Sequence, residues 1–519
     1  MARTTRAVAD RAGEGRDIVS AGAAATGAAL WRALEHGLDR LCGASVNPTR
    51  HLGALATLML WVLLISGAWL YAVFDTSVSG AYQSVARLAA APHAPGGMLR
   101  SLHRYATDAF VLLTLAHVLR EAAFGRWRHF RRHTWLTGTA VLPFATVAAI
   151  GGFWLNWDAL GRFSAAATAE WLDALPLFAL PLSRNFLLDE AVSDRLFSLF
   201  VFIHVGASLL LLFGLWFHLQ RLARPALWPP RALSLSTLAS LCALAWVAPV
   251  TSQPAGSLAE VPGSIAFDWI VLFIHPLMYA SSPAWAWLFA LVTLGVLVVL
   301  PFTSTAPAPA AAVVAPDQCN GCRRCFDDCP FAAITMTRHP DPRRGRELAV
   351  VDARACAACG VCAGACPSST PFRRATPLTS GVDLPDASVD ALRVALDAGL
   401  AAQGGAAPRV VFACRYGADT QALAGTDSVV LPLVCAGQLP PSFVEYALRA
   451  GAARVWITSC REGGCEFRLG VRWTRARLAG TREPHLRGGV SRDRIRLLAA
   501  ERGEEALLAA ALRAEDEHV

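Results

Sequence analysis

Two apolar stretches, each carrying two histidines at one spacing, constrain this chain more than anything else in it. Residues 99–122 (LRSLHRYATDAFVLLTLAHVLREA) hold His103 and His117; residues 196–222 hold His204 and His218. Both separations are fourteen residues. That is just under four helical turns, so the two rings of a pair leave nearly the same face, about 21 Å apart along the axis at roughly 1.5 Å per residue. Ionisable groups inside a lipid-spanning helix are costly and point to function. Two helices with histidines matched at two depths make two bis-imidazole sites, and a planar iron macrocycle takes one axial ligand on each face. Gly53 and Gly67 on 52–74, and Gly138 and Gly152 on 133–155, repeat the period of fourteen. Missing side chains at those levels leave width for a macrocycle, although small residues also serve ordinary helix packing.

Residues 25–222 resemble the N-terminal half of cytochrome b, the di-haem core of quinol oxidoreductases. The likeness runs through ISGAWLYAVF, AYQSV, LRSLH, the first histidine pair, TWLTG and the second pair. It implies that His103 pairs with His204 on an outer haem, and His117 with His218 on an inner one. It further implies that Arg100 and Arg120, three residues before His103 and three after His117, meet haem propionates, which guanidinium groups suit. The family's Pro-Glu-Trp-Tyr motif of the outer quinol site is absent, and Phe267-Asp268-Trp269 is its nearest counterpart. Asp268, Trp269 and His275 are the candidates for an outer quinone pocket.

At 519 residues the chain exceeds one domain. A hydrophobic content of 54% beside 17% charged residues suits a membrane protein. Spans are predicted at 52–74, 99–122, 133–155, 194–222, 232–250 and 284–302. The stretch LWRALEHGLDRLCG reads as an amphipathic helix on the membrane surface. SAAATAEWLDALPLF, in the loop 156–190, reads as a short helix lying on the outer surface. The formal charge of +8 comes from arginine alone. Its placement follows topology and does not require nucleic acid. Arginines crowd the N-terminus, 120–132 and 221–231, whereas the opposite loops hold Arg87, Arg162 and Arg184. Six helices with both termini in the cytoplasm follow from that bias. The arginine- and alanine-rich composition fits a GC-rich bacterium, hence its inner membrane. Residues 1–20 are polar and contain no cleavable signal pattern. This topology puts His103 and His204 at the outer level and His117 and His218 at the inner one, the same pairing that the resemblance implies.

Twelve of the fourteen cysteines are concentrated in 319–465 in tight groups, which is the arithmetic of metal sites rather than of a disulfide framework. Cys42 and Cys242 stand apart and read as buried thiols. Cys319-x2-Cys322-x2-Cys325-x3-Cys329-Pro330 and Cys356-x2-Cys359-x2-Cys362-x3-Cys366-Pro367 form the bacterial two-cluster ferredoxin pattern. The fourth ligand of each cluster comes from the other run. Cys319, Cys322, Cys325 and Cys366 are therefore expected on one [4Fe–4S] cluster, and Cys356, Cys359, Cys362 and Cys329 on the other. Spaced CxxC pairs also bind zinc, but two full runs with trailing prolines favour the clusters.

Beyond an Ala/Pro stretch, TSTAPAPAAAVVA, and the ferredoxin-like part, the chain alternates strand and helix. RVVFAC, DSVVLPLVC and ARVWITSC read as strands, SFVEYALRAG and 504–515 as helices, together an α/β domain with a parallel sheet. Cys414, Cys435 and Cys460 fall at C-terminal strand ends, where sites collect in such sheets, and Cys465 follows. Four converging thiolates suit a [2Fe–2S] cluster. FACRYGAD, VCAGQ and SCREGGCEFRLG are similar to the delta subunit of methyl-viologen-reducing hydrogenase, a small iron–sulfur protein that passes electrons between a flavoprotein and its partner enzyme.

The expected fold class is multi-domain: a six-helix transmembrane cytochrome b-like bundle, an α+β ferredoxin-like two-cluster domain and the C-terminal α/β domain. The expected boundaries are an N-terminal segment 1–50, the di-haem part 51–303, a linker 304–315, the two-cluster part 316–375, a linker with one helix 376–406, and the delta-subunit-like part 407–519. No Gly-rich dinucleotide loop is evident. The cofactors expected are two haem b, two [4Fe–4S] and one [2Fe–2S], with quinone as substrate. The chain then reads as the quinone-reducing subunit of a larger oxidoreductase complex. Its electrons come from a soluble flavoprotein dehydrogenase, of the electron-transferring-flavoprotein or N-methyl amine demethylase type. Two alternatives stay open: quinol oxidation feeding a hydrogenase or heterodisulfide-reductase-like enzyme, and a membrane anchor with structural clusters.

Overall fold

A computed structural model describes residues 26–516 except 178, 187–191, 257–263, 305–306, 404–406, 421–422 and 424–426. Residues 1–25, and with them half of the N-terminal segment 1–50, lie outside the described residues. The chain divides into two units, Met1–Gln220 with Ala226–Thr305, and Arg221–Pro225 with Ala306–Val519.

Helices make up the first unit. α1 covers the described residues 26–42. It is followed by α2 (Leu52–Val73), α3 (Ala81–Ala90), α4 (Pro95–Ala123), α5 (Arg132–Asn156), α6 (Ala159–Asp173), α7 (Asp194–Leu219), α8 (Arg231–Val247), α9 (Ile274–Ala280) and α10 (Pro283–Val299). Local chemistry sets several ends. Pro95 and Pro283 occupy first-turn positions where no amide is needed, and Ser282 accepts from the Trp285 amide. Among the described residues four helical stretches are long and apolar enough to cross a membrane: Leu52–Val73, His129–Asn156, Asp194–Leu219 and Pro283–Phe302. α4 falls outside that set because it carries Arg100, Arg104, Asp108, Arg120 and Glu121; α8, with 17 residues, is short. α2 packs on α4 and α5 on α7. Met59, Ala106, Phe110, Leu211 and Leu241 join α2, α4, α7 and α8 in one buried cluster.

α6 buries one face through Leu160, Gly161, Ser164, Ala165 and Ala167, and Asp158 caps it by accepting from the Gly161 amide. α1 is anchored through the buried Glu35, which Arg50 and Arg120 hold. One sequence expectation is corrected in this unit: Cys42 and Cys242 are exposed, not buried. The Cys42 thiol donates to the Leu38 carbonyl, and Cys242 sits on the outward face of an apolar helix, where a thiol counts as a small apolar group.

The second unit contains β1 (Val313–Val314), α11 (Arg324–Asp328), β2 (Ile334–Arg338), β3 (Glu347–Val351), α12 (Val361–Ala365), β4 (Val382–Asp383) and α13 (Val389–Ala402). Then come β5 (Arg409–Cys414), β6 (Ser428–Leu433), α14 (Pro441–Arg449), β7 (Arg454–Ser459), α15 (Gly470–Leu478), β8 (Ile495–Ala499) and α16 (Glu505–Asp516). β2 and β3 form an antiparallel hairpin between the two cysteine runs, and β1 pairs antiparallel with β4. Each run turns into a one-turn helix, α11 or α12, through a left-handed residue, Arg323 (φ 63°) or Gly360 (φ 73°). The last four strands form a parallel sheet in the order β6-β5-β7-β8. β5 and β7 are buried on both faces and therefore read as nearly unbroken apolar runs. Val410, Phe412, Val455 and Ile457 meet Leu396 of α13 and Phe443 and Val444 of α14 in the core.

Candidate redox centres

In the first unit the four histidines meet in two facing pairs of helices. The His103 and His204 rings stand with centroids 6.3 Å apart at 65°. Two imidazoles on one iron, with bonds of about 2 Å and about 1.1 Å from nitrogen to ring centre, place their centroids a little over 6 Å apart. The gap therefore fits one metal between them. Their Nδ1 atoms are already engaged. Ser66 Oγ lies 2.9 Å from His103 Nδ1, and the Ala148 carbonyl 2.8 Å from His204 Nδ1. Thr137 Oγ1 lies 3.2 Å from His218 Nδ1. With Nδ1 held, Nε2 remains as the ligand atom, the usual arrangement around a metal-binding imidazole. His218 is within electrostatic reach of His117.

The four glycines act on the histidines more directly than the sequence suggested. A Cβ on Gly138 would come 2.9 Å from His218 Cε1, on Gly67 3.1 Å from His103 Cε1, on Gly152 3.1 Å from His204 Cε1, and on Gly53 3.4 Å from His117 Cε1. Each glycine thus opens room for the ring on the neighbouring helix. Ser66 and Thr137, which sequence reasoning passed over, immediately precede Gly67 and Gly138; a hydroxyl beside each glycine was the available signal.

Arg100 is buried and donates to the Val250 carbonyl at 2.7 Å and Ser252 Oγ at 3.0 Å. Arg120 is buried and bonded through Nε to Glu35 at 2.8 Å, while its Nη2 is buried without a hydrogen-bond partner among the described residues. An orphaned guanidinium donor of that kind fits a carboxylate such as a haem propionate. The outer-loop candidates are placed differently from one another. Asp268 pairs with Arg104 and accepts from the Ile270 and Val271 amides. Trp269 is exposed and touches Phe267. His275 is wholly buried, with Nε2 3.1 Å from Ser164 Oγ. Phe267 meets Trp269 and Phe163 edge to face, and Phe163 meets His275, so aromatic rings connect two of the candidates.

In the second unit the two cysteine runs exchange members. One cavity is lined by Cys319, Cys322, Cys325 and Cys366; another by Cys329, Cys356, Cys359 and Cys362. Amides point at the sulfurs: Ala333 N to Cys329 Sγ at 3.3 Å and Ala358 N to Cys356 Sγ at 3.4 Å. Burial pushes the Cys325 thiol up to about 12 and the Cys359 and Cys362 thiols up as well. Such thiols are poor thiolates until a metal displaces the proton.

Cys414 ends β5, Cys435 and Cys460 follow β6 and β7, and Cys465 follows a short turn. All four are buried. Cys414 and Cys465 each lie close enough to Cys435 and Cys460 to interact with both; these neighbours hold Cys414 and Cys465 below the usual thiol range and push Cys435 and Cys460 up. Among the described residues no three His, Cys, Asp or Glu side chains are spaced for a single metal ion. Four buried thiols grouped at the ends of a parallel sheet fit the ligand set of an iron–sulfur cluster.

The comparisons agree with this architecture in order along the chain. Residues 38–224 match the family model of cytochrome b/b6/petB, residues 318–370 that of the 4Fe-4S dicluster domain, and residues 410–519 that of the methyl-viologen-reducing hydrogenase delta subunit. A solved structure described as "Hyperthermophilic respiratory Complex III" is similar at 19% identity and a TM-score of 0.41, over 49% of this chain and 75% of that one. The family-model matches and the apolar helices define the class: a membrane electron-transfer protein with haem and [4Fe–4S] clusters. Within that class the chain joins a cytochrome b-like helical part to a dicluster ferredoxin part and a hydrogenase-delta-like part with a parallel sheet.

Proposed function

We propose that the chain passes electrons from a soluble flavoprotein dehydrogenase, of the electron-transferring-flavoprotein or N-methyl amine demethylase type, to quinone in a bacterial inner membrane. In this reading His103 and His204 hold an outer haem b, and His117 and His218 an inner one. Arg100 and Arg120 face propionates. The two cysteine cavities hold one [4Fe–4S] cluster each, and the Cys414–Cys435–Cys460–Cys465 square holds a [2Fe–2S] cluster. These groups supply one-electron chemistry when bound. The protein's own share is to fix the ligands and exclude water around them. Ser66, Thr137 and the Ala148 carbonyl orient the imidazoles, backbone amides stabilise the sulfurs, and burial keeps eight of the twelve thiols from solvent. Six spans with both termini in the cytoplasm would put the donor-facing clusters on the cytoplasmic side, and the segments 1–50, 51–303, 304–315, 316–375, 376–406 and 407–519 are its parts.

The observation that carries this reading is the 6.3 Å separation of the His103 and His204 rings, in a chain that also brings twelve cysteines into three groups of four. The test uses the native complex. Its dehydrogenase substrate should reduce the b haems and then a quinone analogue; haems that remain oxidised would refute the direction. The match of 410–519 to a hydrogenase subunit favours a second reading, in which quinol supplies electrons to a hydrogenase or heterodisulfide-reductase-like enzyme. A hydrogenase co-purifying in the complex, with quinol-dependent reduction of the clusters, would select it.

A further inference from the structure

We propose that the buried Arg477 bridges the square of Cys414, Cys435, Cys460 and Cys465 to the cavity of Cys329, Cys356, Cys359 and Cys362, and sets how readily an electron crosses between them. The inference rests on the reading of both as iron–sulfur centres. Three glycines bring the two sites together. A Cβ on Gly470, at the start of α15, would collide with Cys435 Sγ. A Cβ on Gly437, two residues after Cys435, would come 2.9 Å from Gly470 Cα and 2.9 Å from the Val361 side chain. One on Gly364 would strike the Gly437 carbonyl and come 2.7 Å from Arg477 Nη1. Backbone therefore lies against backbone between the turn after Cys435 and the helix that carries Cys362.

Arg477 spans this seam, with 1% of its surface exposed. Its Nη1 donates to the Gly437 carbonyl at 2.9 Å. Its Nη2 donates to the Val361 carbonyl at 3.3 Å and to the Asp328 carboxylate. Gly437 is two residues from Cys435, Val361 adjoins Cys362, and Asp328 adjoins Cys329. One planar group thus touches the backbone of one site and two ligand-bearing segments of the other. Arg482 also pairs with Asp328, and Trp473 Nε1 donates to the Asp328 carbonyl at 3.1 Å. Two guanidiniums facing one carboxylate leave one positive charge inside the seam. A buried ion pair is poor value for stability alone, since apolar residues of like volume often serve as well. A positive charge between two centres favours whichever of them holds the extra electron, and a hydrogen-bonded path couples them better than an open gap. The step balances simply: one electron leaves the [2Fe–2S] centre, which is oxidised, and arrives on the [4Fe–4S] centre, which is reduced. No proton or bond moves, and reduced viologen can serve as donor.

The experiment takes the full-length chain in detergent and follows cluster signals by electron paramagnetic resonance. One arm is an equilibrium redox titration, the other freeze-quenched mixing with reduced methyl viologen. In Arg477→Gln the reduced-to-oxidised ratio of an adjoining centre at fixed ambient potential should fall about tenfold, a shift of about 59 mV for a one-electron couple. Arrival of the electron on the [4Fe–4S] centre should slow by a similar factor. Arg477→Lys keeps the charge but cannot span both carbonyls, so it should hold the parent potential and still transfer slowly. Parent-like potential and rate in a cluster-loaded Arg477→Gln would overturn the proposal. Should iron and sulfide analysis show that Arg477→Gln loses clusters, Arg477→Lys decides: slow transfer supports the bridge, and parent rate overturns it. A parent protein without a third cluster signal would sink the underlying assignment instead, and the proposal with it.

Discussion

Replacing Gly138 by alanine should cost the protein the haem proposed at His117 and His218. The new Cβ would stand 2.9 Å from His218 Cε1. Non-bonded carbons rest at about 3.5–4.0 Å, so the ring must retreat by at least about 0.6 Å. Metal–ligand bonds tolerate about 0.2 Å, and the same ring is tied through Nδ1 to Thr137. Overpacking of this kind costs about 1–3 kcal/mol, which at about 1.4 kcal/mol per tenfold lowers haem affinity roughly 5- to 150-fold. The four glycines supply an internal scale. Gly67→Ala and Gly152→Ala, at 3.1 Å from their rings, should be intermediate, and Gly53→Ala, at 3.4 Å, close to the parent. Elsewhere in a helix the same substitution would gain about 0.5–1 kcal/mol, so the sign itself is diagnostic. Haem per chain from the pyridine haemochromogen, together with the reduced α-band, reads the series. Full haem content in Gly138→Ala, or a greater loss in Gly53→Ala than in Gly138→Ala, would refute the reasoning.

Other outcomes follow from the same geometry. Ser66→Ala should loosen the His103 ring and weaken haem binding there by about 10- to 100-fold, seen as haem lost on dilution while the His117/His218 haem stays. Cys366→Ala should abolish the cluster of the first run, and Cys329→Ala that of the second; if each removes the cluster of its own run, the exchange of ligands is wrong. Burial raises the Asp383 carboxyl to about 6, although the Val389 and Leu384 amides oppose the shift. A raised carboxyl favours the fold while protonated, so its contribution is whole below about pH 4 and is lost as pH rises through about 6. Asp383→Asn should therefore stabilise thermal unfolding of the full chain at pH 8 and leave it unchanged at pH 4.5; equal effects at both would count against this.

Much of the molecule was legible because its chemistry repeats at fixed intervals. The fourteen-residue histidine spacing places rings on one face whatever the surroundings, and helices occupy the apolar stretches around them. Strands β5, β6 and β7 were readable as apolar runs ending in cysteine. α15 and β8 were missed. GVRWTRARL has three arginines in nine residues and no apolar stripe, yet it buries Val471, Trp473 and Arg477, because Asp328 and two carbonyls accept from the two Nη groups of Arg477. Glu35 was missed for a related reason: its partners Arg50 and Arg120 are 15 and 85 residues away, beyond any local pattern. Asp268 carries a local role that its place in the sequence did not announce: it accepts from the Ile270 and Val271 amides.

The hydroxyls of Ser66 and Thr137 and the Ala148 carbonyl have a consequence beyond ligation. Rings clamped on their far side before any porphyrin arrives have little freedom left to surrender when iron binds or changes valence. A site that scarcely moves between ferric and ferrous states exchanges electrons with a small reorganisation penalty, so the speed of this wire would be written into a few neutral oxygen atoms that never touch the metal.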